Sequence, residues 1–411
     1  MHLQRVQVPD FRVLKDVDIT FEKDFNPRVF PLGSQNGGGK STLLQLIFVL
    51  LHCSTNPRRL PALNNLLSSF MLQAGEDKKE LAVIDIWDEN KTIQLDFFVV
   101  SERHLKEFNK NLDVNLDDKF ESLTKRIQQQ QSITEGESQE AYFFANFLID
   151  EIIKSLSLMG DTILITCYVD IDEMNFPRLL TLLCNIKNLG GYKPHEFLNC
   201  LSNKIFLAAP STQVFLFLDE ESINSLFKSN SVYQSNLKKI NSILPSLFTY
   251  DFLATELLIN FFKSIRDKDF KEAIKTGEYG DNYKKSLQNL NLIMNNKQVN
   301  LSEDFSSITF KIIGLDNSIN LYPQDLSHGE LKRLSIYVWL KYKNIEDSIV
   351  LMDEVDLALH PDWQYKITTD LVEWSPSNQY ILATHSYEVC EALTPSHVKI
   401  LKPKLTERRT K

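Results

Sequence analysis

The sequence lacks the features that would tie it to a membrane, a thiolate metal site or an oxidising compartment. It has only five cysteines, Cys53, Cys167, Cys184, Cys200 and Cys390, and no two share CxxC spacing. The odd count and the scatter argue against a disulfide framework or a cysteine zinc site and fit a reducing cytoplasm. No basic-then-apolar segment opens the chain between Met1 and Asp10, so no signal peptide is expected. The longest apolar run near the front, Leu43 to Leu51, is interrupted by Gln45 and is too short to cross a bilayer. A surplus of positive charge is also missing: 45 Lys and Arg stand against 54 Asp and Glu, a net charge of −9. This argues against a protein held on nucleic acid by bulk charge, while leaving room for a local basic strip. No internal repeat occurs and no heptad pattern persists over many turns, which excludes a long coiled coil.

What is present is a chain of 411 residues, 43% hydrophobic, enough for two or three domains or for one domain carrying a large insert. Leu3 to Val8 and Val17 to Phe21 alternate with a period of two and predict strands. Val29 to Leu32 predicts a third strand, which runs into a glycine-rich turn and then a helix over Ser41 to Leu51. Leu81 to Trp87 and Thr92 to Val100 predict a hairpin across Asp88-Glu89-Asn90. From about residue 102 long polar and helical stretches follow, and between about 140 and 295 the periodicity predicts mainly helix, over Phe143 to Ser157, Pro177 to Leu189, Val232 to Leu244 and Leu253 to Phe270. Strand-like interruptions fall at Thr162 to Val169 and Lys204 to Leu218, and Gln128 to Gln131 reads as a solvated loop or helix end. After a hairpin over Ser307 to Ile313 and Ser318 to Leu321, the chain closes in a βαβα pattern. Its strands are at Ser348 to Met352, Tyr380 to Ala383 and His397 to Leu401, with helices at about 329 to 343, 361 to 373 and 386 to 392. Such a pattern produces a parallel sheet with covering helices.

Four motifs carry chemistry. The first is Gly33-Ser34-Gln35-Asn36-Gly37-Gly38-Gly39-Lys40-Ser41-Thr42. Glycines let the backbone curl so that successive N–H groups point at phosphate oxygens. Lys40 can reach the β- and γ-phosphates of ATP, the Ser41 hydroxyl can ligate Mg²⁺, and the helix that follows turns its positive end to the same phosphates. The motif departs from the strict G-x4-G-K-[ST] spacing, because Ser34 stands at the first glycine position and Gly33 is one place early. The second motif is the apolar run Ser348 to Met352 ending in Asp353-Glu354, which delivers two carboxylates to the carboxyl end of a buried strand. There Asp353 would hold Mg²⁺ through water and Glu354 would polarise the attacking water. Val214 to Leu218 followed by Asp219-Glu220 has the same shape without flanking motifs, and is read as a structural strand leading into a helix. The third motif is Leu326-Ser327-His328-Gly329-Glu330, which opens a helix 26 residues before Asp353 and supplies a second anion-binding end around Ser327 and Gly329. The fourth is Ala383-Thr384-His385-Ser386, whose His385 follows Glu354 by 31 residues and stands where a γ-phosphate sensor is expected.

In this order these motifs resemble the ABC-type P-loop ATPases of the SMC/RecF/OLD branch. Asp356-Leu357-Ala358-Leu359-His360-Pro361 is similar to the D-loop run of RecF- and OLD-like members, and Phe11-Arg12 to the start of the same branch. The resemblance implies an α/β fold: an ABC-type ATPase sheet with covering helices, split by a large, mainly helical insert. Residues 1–101 would form the first part of the ATPase domain, 102–300 the insert and 301–411 the second part. It also implies a head-to-tail dimer or higher assembly of this chain, with ATP and Mg²⁺ sandwiched between Lys40 of one copy and Ser327 of the other, and Arg12 approaching the nucleotide. The motifs do not place a Q-loop glutamine, for which Gln73 and Gln94 are both candidates.

The insert is too short in coiled coil for an SMC protein. The placement of Ser327 287 residues beyond Lys40, and Val355-Asp356 after Glu354, do not suit a transporter subunit. The chain ends about ten residues after its last predicted strand, so no nuclease domain of the Toprim kind found in OLD proteins is expected. The resemblance then narrows to ATPase subunits of prokaryotic anti-phage systems, of the Septu, retron-associated or PARIS kind, in which a separate nuclease protein is the effector. The alternative is a RecF-like DNA-repair ATPase, with DNA as partner. It would need a basic track, for which Lys263 to Lys275 and Lys284-Lys285 are the candidates, although Asp267, Asp269 and Glu272 interleave there as on a solvated helix face. The acidic cluster Asp170, Asp172 and Glu173 is read as a solvated turn rather than a metal site.

Overall fold

The computed structural model describes residues 1–67, 70–73, 75–101, 103–104, 162–171, 177–217, 239–250, 254–313 and 320–402. Six strands form an antiparallel sheet: β1 (His2–Phe11), β2 (Leu14–Thr20), β4 (Lys78–Asp88), β5 (Lys91–Ser101), β6 (Thr162–Ile171) and β7 (Pro177–Lys187), in the order β2-β1-β4-β5-β7-β6. Six others form a parallel sheet: β3 (Val29–Gly33), β8 (Ile205–Ala209), β9 (Leu247–Thr249), β13 (Ile349–Asp353), β14 (Gln379–Thr384) and β15 (Lys399–Ile400), in the order β15-β3-β14-β13-β8-β9. A small antiparallel sheet joins β10 (Lys297–Leu301), β11 (Ile308–Ile312) and β12 (Asn320–Leu321). The helices are α1 (Lys40–Cys53), α2 (Leu60–Leu67), α3 (Pro194–Ser202), α4 (Ala254–Thr276), α5 (Asn282–Met294), α6 (His328–Tyr342), α7 (Pro361–Trp374) and α8 (Tyr387–Glu391).

The central parallel strands β13 and β14 are buried along their whole length and mostly apolar, because both faces of the sheet are covered. Ile349, Leu351, Ile381 and Leu32 face one core, which they share with α1 and the antiparallel sheet. Val350, Met352, Tyr380 and Leu382 face a second core with α4, α6 and α7. Helix α1 is buried on nearly every side, so the unbroken apolar run from Leu46 to Leu51 costs it nothing. Gln379 stitches the two large sheets together: its side-chain amide accepts from the Leu3 N–H at 2.7 Å and donates to the Leu3 carbonyl at 2.8 Å.

The closing pattern, the β4–β5 hairpin and the β11–β12 hairpin follow expectation. The middle of the chain does not. Pro177 to Leu189, expected as helix, is β7, paired with β5 on one side and β6 on the other. Its leucines at 179, 180, 182 and 183 imitate helical spacing, but the open edge of β5 claims the segment for the sheet. Val214 to Phe217, expected to begin a strand, lie instead in a 3₁₀ stretch over Ser211–Phe217, while Leu218, Asp219 and Glu220 lie outside the described residues. Strands β6 and β7 complete the antiparallel sheet, β8 pairs directly with β13, and β9 extends the same sheet, so the described strands between 102 and 300 contribute to both layers. Helices do dominate from 254 to 294. Phe143 to Ser157, Gln128 to Gln131, Asp172 and Glu173 lie outside the described residues.

Candidate functional site

The phosphate loop lies where β3 ends and α1 begins, at the carboxyl edge of the parallel sheet. Gly39 has φ +90°, and a Cβ there would come within 2.6 Å of Leu14 Cδ2 and 3.0 Å of Val13 Cγ2. Only glycine lets the β1–β2 turn press on the loop this closely. A cavity of about 250 Å³ opens at this point, lined by Val13, Gly37 to Thr42, Asp353, Glu354, Ala383 and His385. Three parallel strands thus bring residues separated by more than 300 positions to one opening: β3 through its loop, β13 through Asp353-Glu354, and β14 through His385.

Lys40 is buried, and its Nζ lies 2.9 Å from His385 Nε2, 3.1 Å from Ser34 Oγ and 3.4 Å from the Ser34 carbonyl. With the ammonium charged, Nε2 of His385 is the acceptor. Burial lowers the Lys40 pKa, while Asp353, Asp356 and Glu354 act against that shift. Ser34, the departure from the strict loop pattern, therefore supplies a hydroxyl to the very amine that such loops aim at phosphate. Asn36 is exposed in the turn and is not among the residues lining the cavity.

Asp353 is 2% exposed, and burial raises its carboxyl to about 6; its hydrogen bond with Ser41 works the other way. Its Oδ2 is buried without a hydrogen-bond partner. A buried carboxylate oxygen left unsatisfied beside a serine hydroxyl and an open cavity suits Mg²⁺. This ion usually takes one or two protein oxygens and completes its shell with water and substrate phosphate. Next in the chain, Glu354 sits at φ +50°, and its N–H donates to the Ala383 carbonyl at 3.0 Å. Thr384 Oγ1 donates to Asp356 Oδ1 at 2.7 Å, which joins the β14 end to the turn after Glu354.

Ser327 caps α6. Its hydroxyl accepts from the Glu330 N–H at 3.3 Å and donates to Glu330 Oε2 at 3.0 Å, and Lys297 of β10 forms an ion pair with the other carboxylate oxygen. Ser327 and His328 are exposed. Neither Ser327 nor Gly329 lines the cavity of its own chain. Gly329 packs instead on the turn after Glu354, where an added Cβ would come within 2.7 Å of the Ala358 carbonyl.

Arg12 is placed elsewhere. Its Nη2 donates to the Leu66 carbonyl at 2.9 Å, and its neighbour Val13 is the residue of that turn that reaches the cavity. Gln94 accepts from Lys187 on the antiparallel sheet and Gln73 is exposed in a loop, so neither lines the cavity as a Q-loop glutamine would. In the candidate basic track, Arg266 pairs with Asp267. Asp269 is buried, accepting from the N–H groups of Asn282 and Tyr283 at the start of α5. Asp267 and Asp269 are thus both occupied in local structure, Asp267 on the surface and Asp269 in the α4–α5 packing. Among the described residues no group of three or more His, Cys, Asp and Glu side chains could hold a metal ion, and no helix is long and apolar enough to cross a membrane.

Residues 204–391 match the family described as "AAA domain, putative AbiEii toxin, Type IV TA system". The match begins at β8 and includes the Ser327, Asp353-Glu354 and His385 motifs, while the Lys40 loop lies before it. The chain is 47% identical over 53 residues to the retron Vc95 probable ATPase of Vibrio cholerae serotype O1 biovar El Tor, covering 13% of this chain and 10% of that protein. It is 43% identical over 54 residues to the retron Ec83 probable ATPase of Escherichia coli, again 13% and 10%. The chain thus spans about a tenth of the length of the curated relatives it matches. Among solved structures, the SMC head bound to the C-winged helix domain of ScpA aligns over 95% of this chain and 92% of that one, with 12% identity and a TM-score of 0.41. The SMC head domain from Thermotoga maritima aligns over the same shares with 11% identity and a TM-score of 0.40. The chain resembles P-loop ATPases of the defence-associated kind.

Proposed function

We propose that this chain binds and hydrolyses ATP as an ABC/OLD-like ATPase whose site is closed by a second copy, and that it is the sensing or gating subunit of an antiviral system with a separate nuclease effector. The observation that carries the ATPase assignment is the convergence of Lys40, Ser41, Asp353, Glu354 and His385 on one cavity. The loop N–H groups and the Lys40 ammonium grip the β- and γ-phosphates, displacing Lys40 from Ser34 and His385. Ser41 and Asp353 would hold Mg²⁺, which when bound neutralises charge on the phosphate oxygens. Glu354 takes a proton from water as the water oxygen bonds to the γ-phosphorus, and the bond from that phosphorus to the bridging oxygen breaks, leaving ADP and phosphate. His385 donates to the γ-phosphate and marks its presence.

Closure by a second copy is supported by the exposed cap of α6, which presents Ser327 outward while its own cavity goes without it. The partial matches to retron ATPases support the defence role.

Lys40→Ala is expected to weaken ATP binding by about a hundredfold or more, since it removes a buried charge-assisted contact to phosphate. In cells it should abolish phage protection. Fluorescent-nucleotide titration and plaque counts measure the two effects; full protection by the variant would overturn the proposal.

Asp353 gives the site a pH signature. A carboxyl raised by folding contributes stability that is complete below its unfolded value and is lost as pH rises through about 6. Above that pH the buried carboxylate is a cost that a bound cation offsets, and below it the cation must displace a proton. Mg²⁺ with a non-hydrolysable ATP analogue is therefore expected to raise the melting temperature more at about pH 7.5 than at about pH 5. Asp353→Asn should erase the difference. Equal stabilisation of the wild type at both pH values would remove Asp353 as a ligand.

A further inference from the structure

Helix α6 carries a lysine on its buried side. Lys332, five residues after Ser327, is 6% exposed, and its ammonium reaches beyond the helix. Nζ donates to the Glu354 carbonyl at 2.6 Å and to the Leu357 carbonyl at 3.0 Å, and it stands 4.1 Å from the centre of the Tyr250 ring. The two carbonyls bracket the turn that leaves β13. This turn is unusual, because Glu354 has φ +50° and Ala358 φ +66°, both left-handed in residues with a Cβ. Such backbone persists only where the surroundings over-determine it. Here they do so from three sides. The Glu354 N–H bonds to Ala383 of β14, α6 lies so close at Gly329 that a Cβ there would meet the Ala358 carbonyl, and Lys332 binds the carbonyls.

We infer that Lys332 is a positioning residue of the ATPase site: through the Glu354 and Leu357 carbonyls it holds the turn that presents the Glu354 carboxylate to the cavity. This rests on the proposed role of Glu354 as the base. A base misplaced by about 1 Å can lose a hundredfold in rate with substrate still bound. The peptide that Lys332 grips is the one adjoining the base, so its loss acts on turnover and leaves the phosphate grip of Lys40 alone. The amine also stands on the helix whose start is Ser327. Any movement of α6 when Ser327 meets a partner's nucleotide would therefore be transmitted to Glu354 of the same copy.

The test uses the full chain. Lys332→Met keeps the length and apolar stem that pass Tyr250 and removes the charge and the donors. Its turnover is expected to fall by about tenfold or more, with nucleotide affinity within about twofold of wild type. In a Glu354→Gln background, where no base remains to be positioned, Lys332→Met should lower the residual single-turnover rate no further. A purely structural lysine would instead add its loss to that of Glu354→Gln. If Lys332→Met does not fold, Lys332→Gln, which shortens the reach but keeps a donor, is measured in the same way. Turnover within about twofold of wild type, additive losses, or a joint loss of affinity and turnover would each overturn the inference. A wild-type protein that binds ATP without hydrolysing it would instead overturn the assignment of Glu354, and the inference with it.

Discussion

Glu354→Gln is expected to leave ATP bound and to lower turnover by about 10² to 10⁴, the range that a positioned general base supplies. Glutamine has the shape of glutamate but cannot take a proton from water. None of the contacts that Lys40 makes is touched, so the nucleotide should still be gripped. The charge removed is also one that raises the Asp353 pKa, so Asp353 should ionise more readily and hold a cation no less well. With hydrolysis stopped and binding intact, paired copies should accumulate. Steady-state phosphate release gives the first quantity, and mass measurement in solution with ATP and Mg²⁺ gives the second. Wild-type turnover in this variant would mean that some other group activates the water.

The second large effect concerns stability. Arg333 and Asp370 form an ion pair between α6 and α7 with both side chains 5% exposed. Arg333 Nε donates to Asp370 Oδ2 at 3.1 Å, Nη1 donates to the Ile293 carbonyl at 3.3 Å, and the guanidinium lies 5.1 Å from the centre of the Trp363 ring. One group thus joins α5, α6 and α7. Arg333→Ala leaves the Asp370 carboxylate in the core without its counter-charge, at an expected cost of about 3–5 kcal/mol. The pair as a whole is worth far less than either half, because forming it requires both groups to be desolvated. Arg333→Met with Asp370→Leu should accordingly recover most of the stability. Denaturant midpoints of the two variants measure the contrast. If Arg333→Ala cost less than about 1 kcal/mol, water would have to reach Asp370 in a way the packing does not suggest.

The contrast between what was legible and what was not follows the range of the forces involved. The β13 segment is a short apolar run with β-branched Ile349 and Val350, bounded by polar residues, and its length and flanks favour a strand buried on both faces. Glycines 37 to 39 before Lys40 announce their loop for an equally local reason. Residues 177–187 were misleading because leucine spacing alone cannot reveal that β5 has an edge to be filled. Likewise, nothing near Phe215 shows that the chain there winds as 3₁₀ helix. Arg12 was matched by its place in the opening hairpin, but the turn directs its side chain to Leu66 and Val13 into the cavity. Lys332 was in view beside the Ser327 motif, and its role was not, since the carbonyls it binds lie 22 and 25 residues further on.

The amino-acid sequence by itself determined the elements whose chemistry is local: the glycine-lined loop and its lysine, the apolar strand ending in two carboxylates, and the serine-capped helix start. Each depends on backbone freedom, periodicity or capping within a dozen residues. Only the tertiary structure decided that β8 and β9 belong to the nucleotide sheet, that His385 meets Lys40, and that a lysine on α6 holds the turn beneath Glu354. These relations depend on which strand edges pair and which faces bury each other. They are set by burial and hydrogen bonding between residues far apart in the chain, and spacing along the sequence carries no record of them.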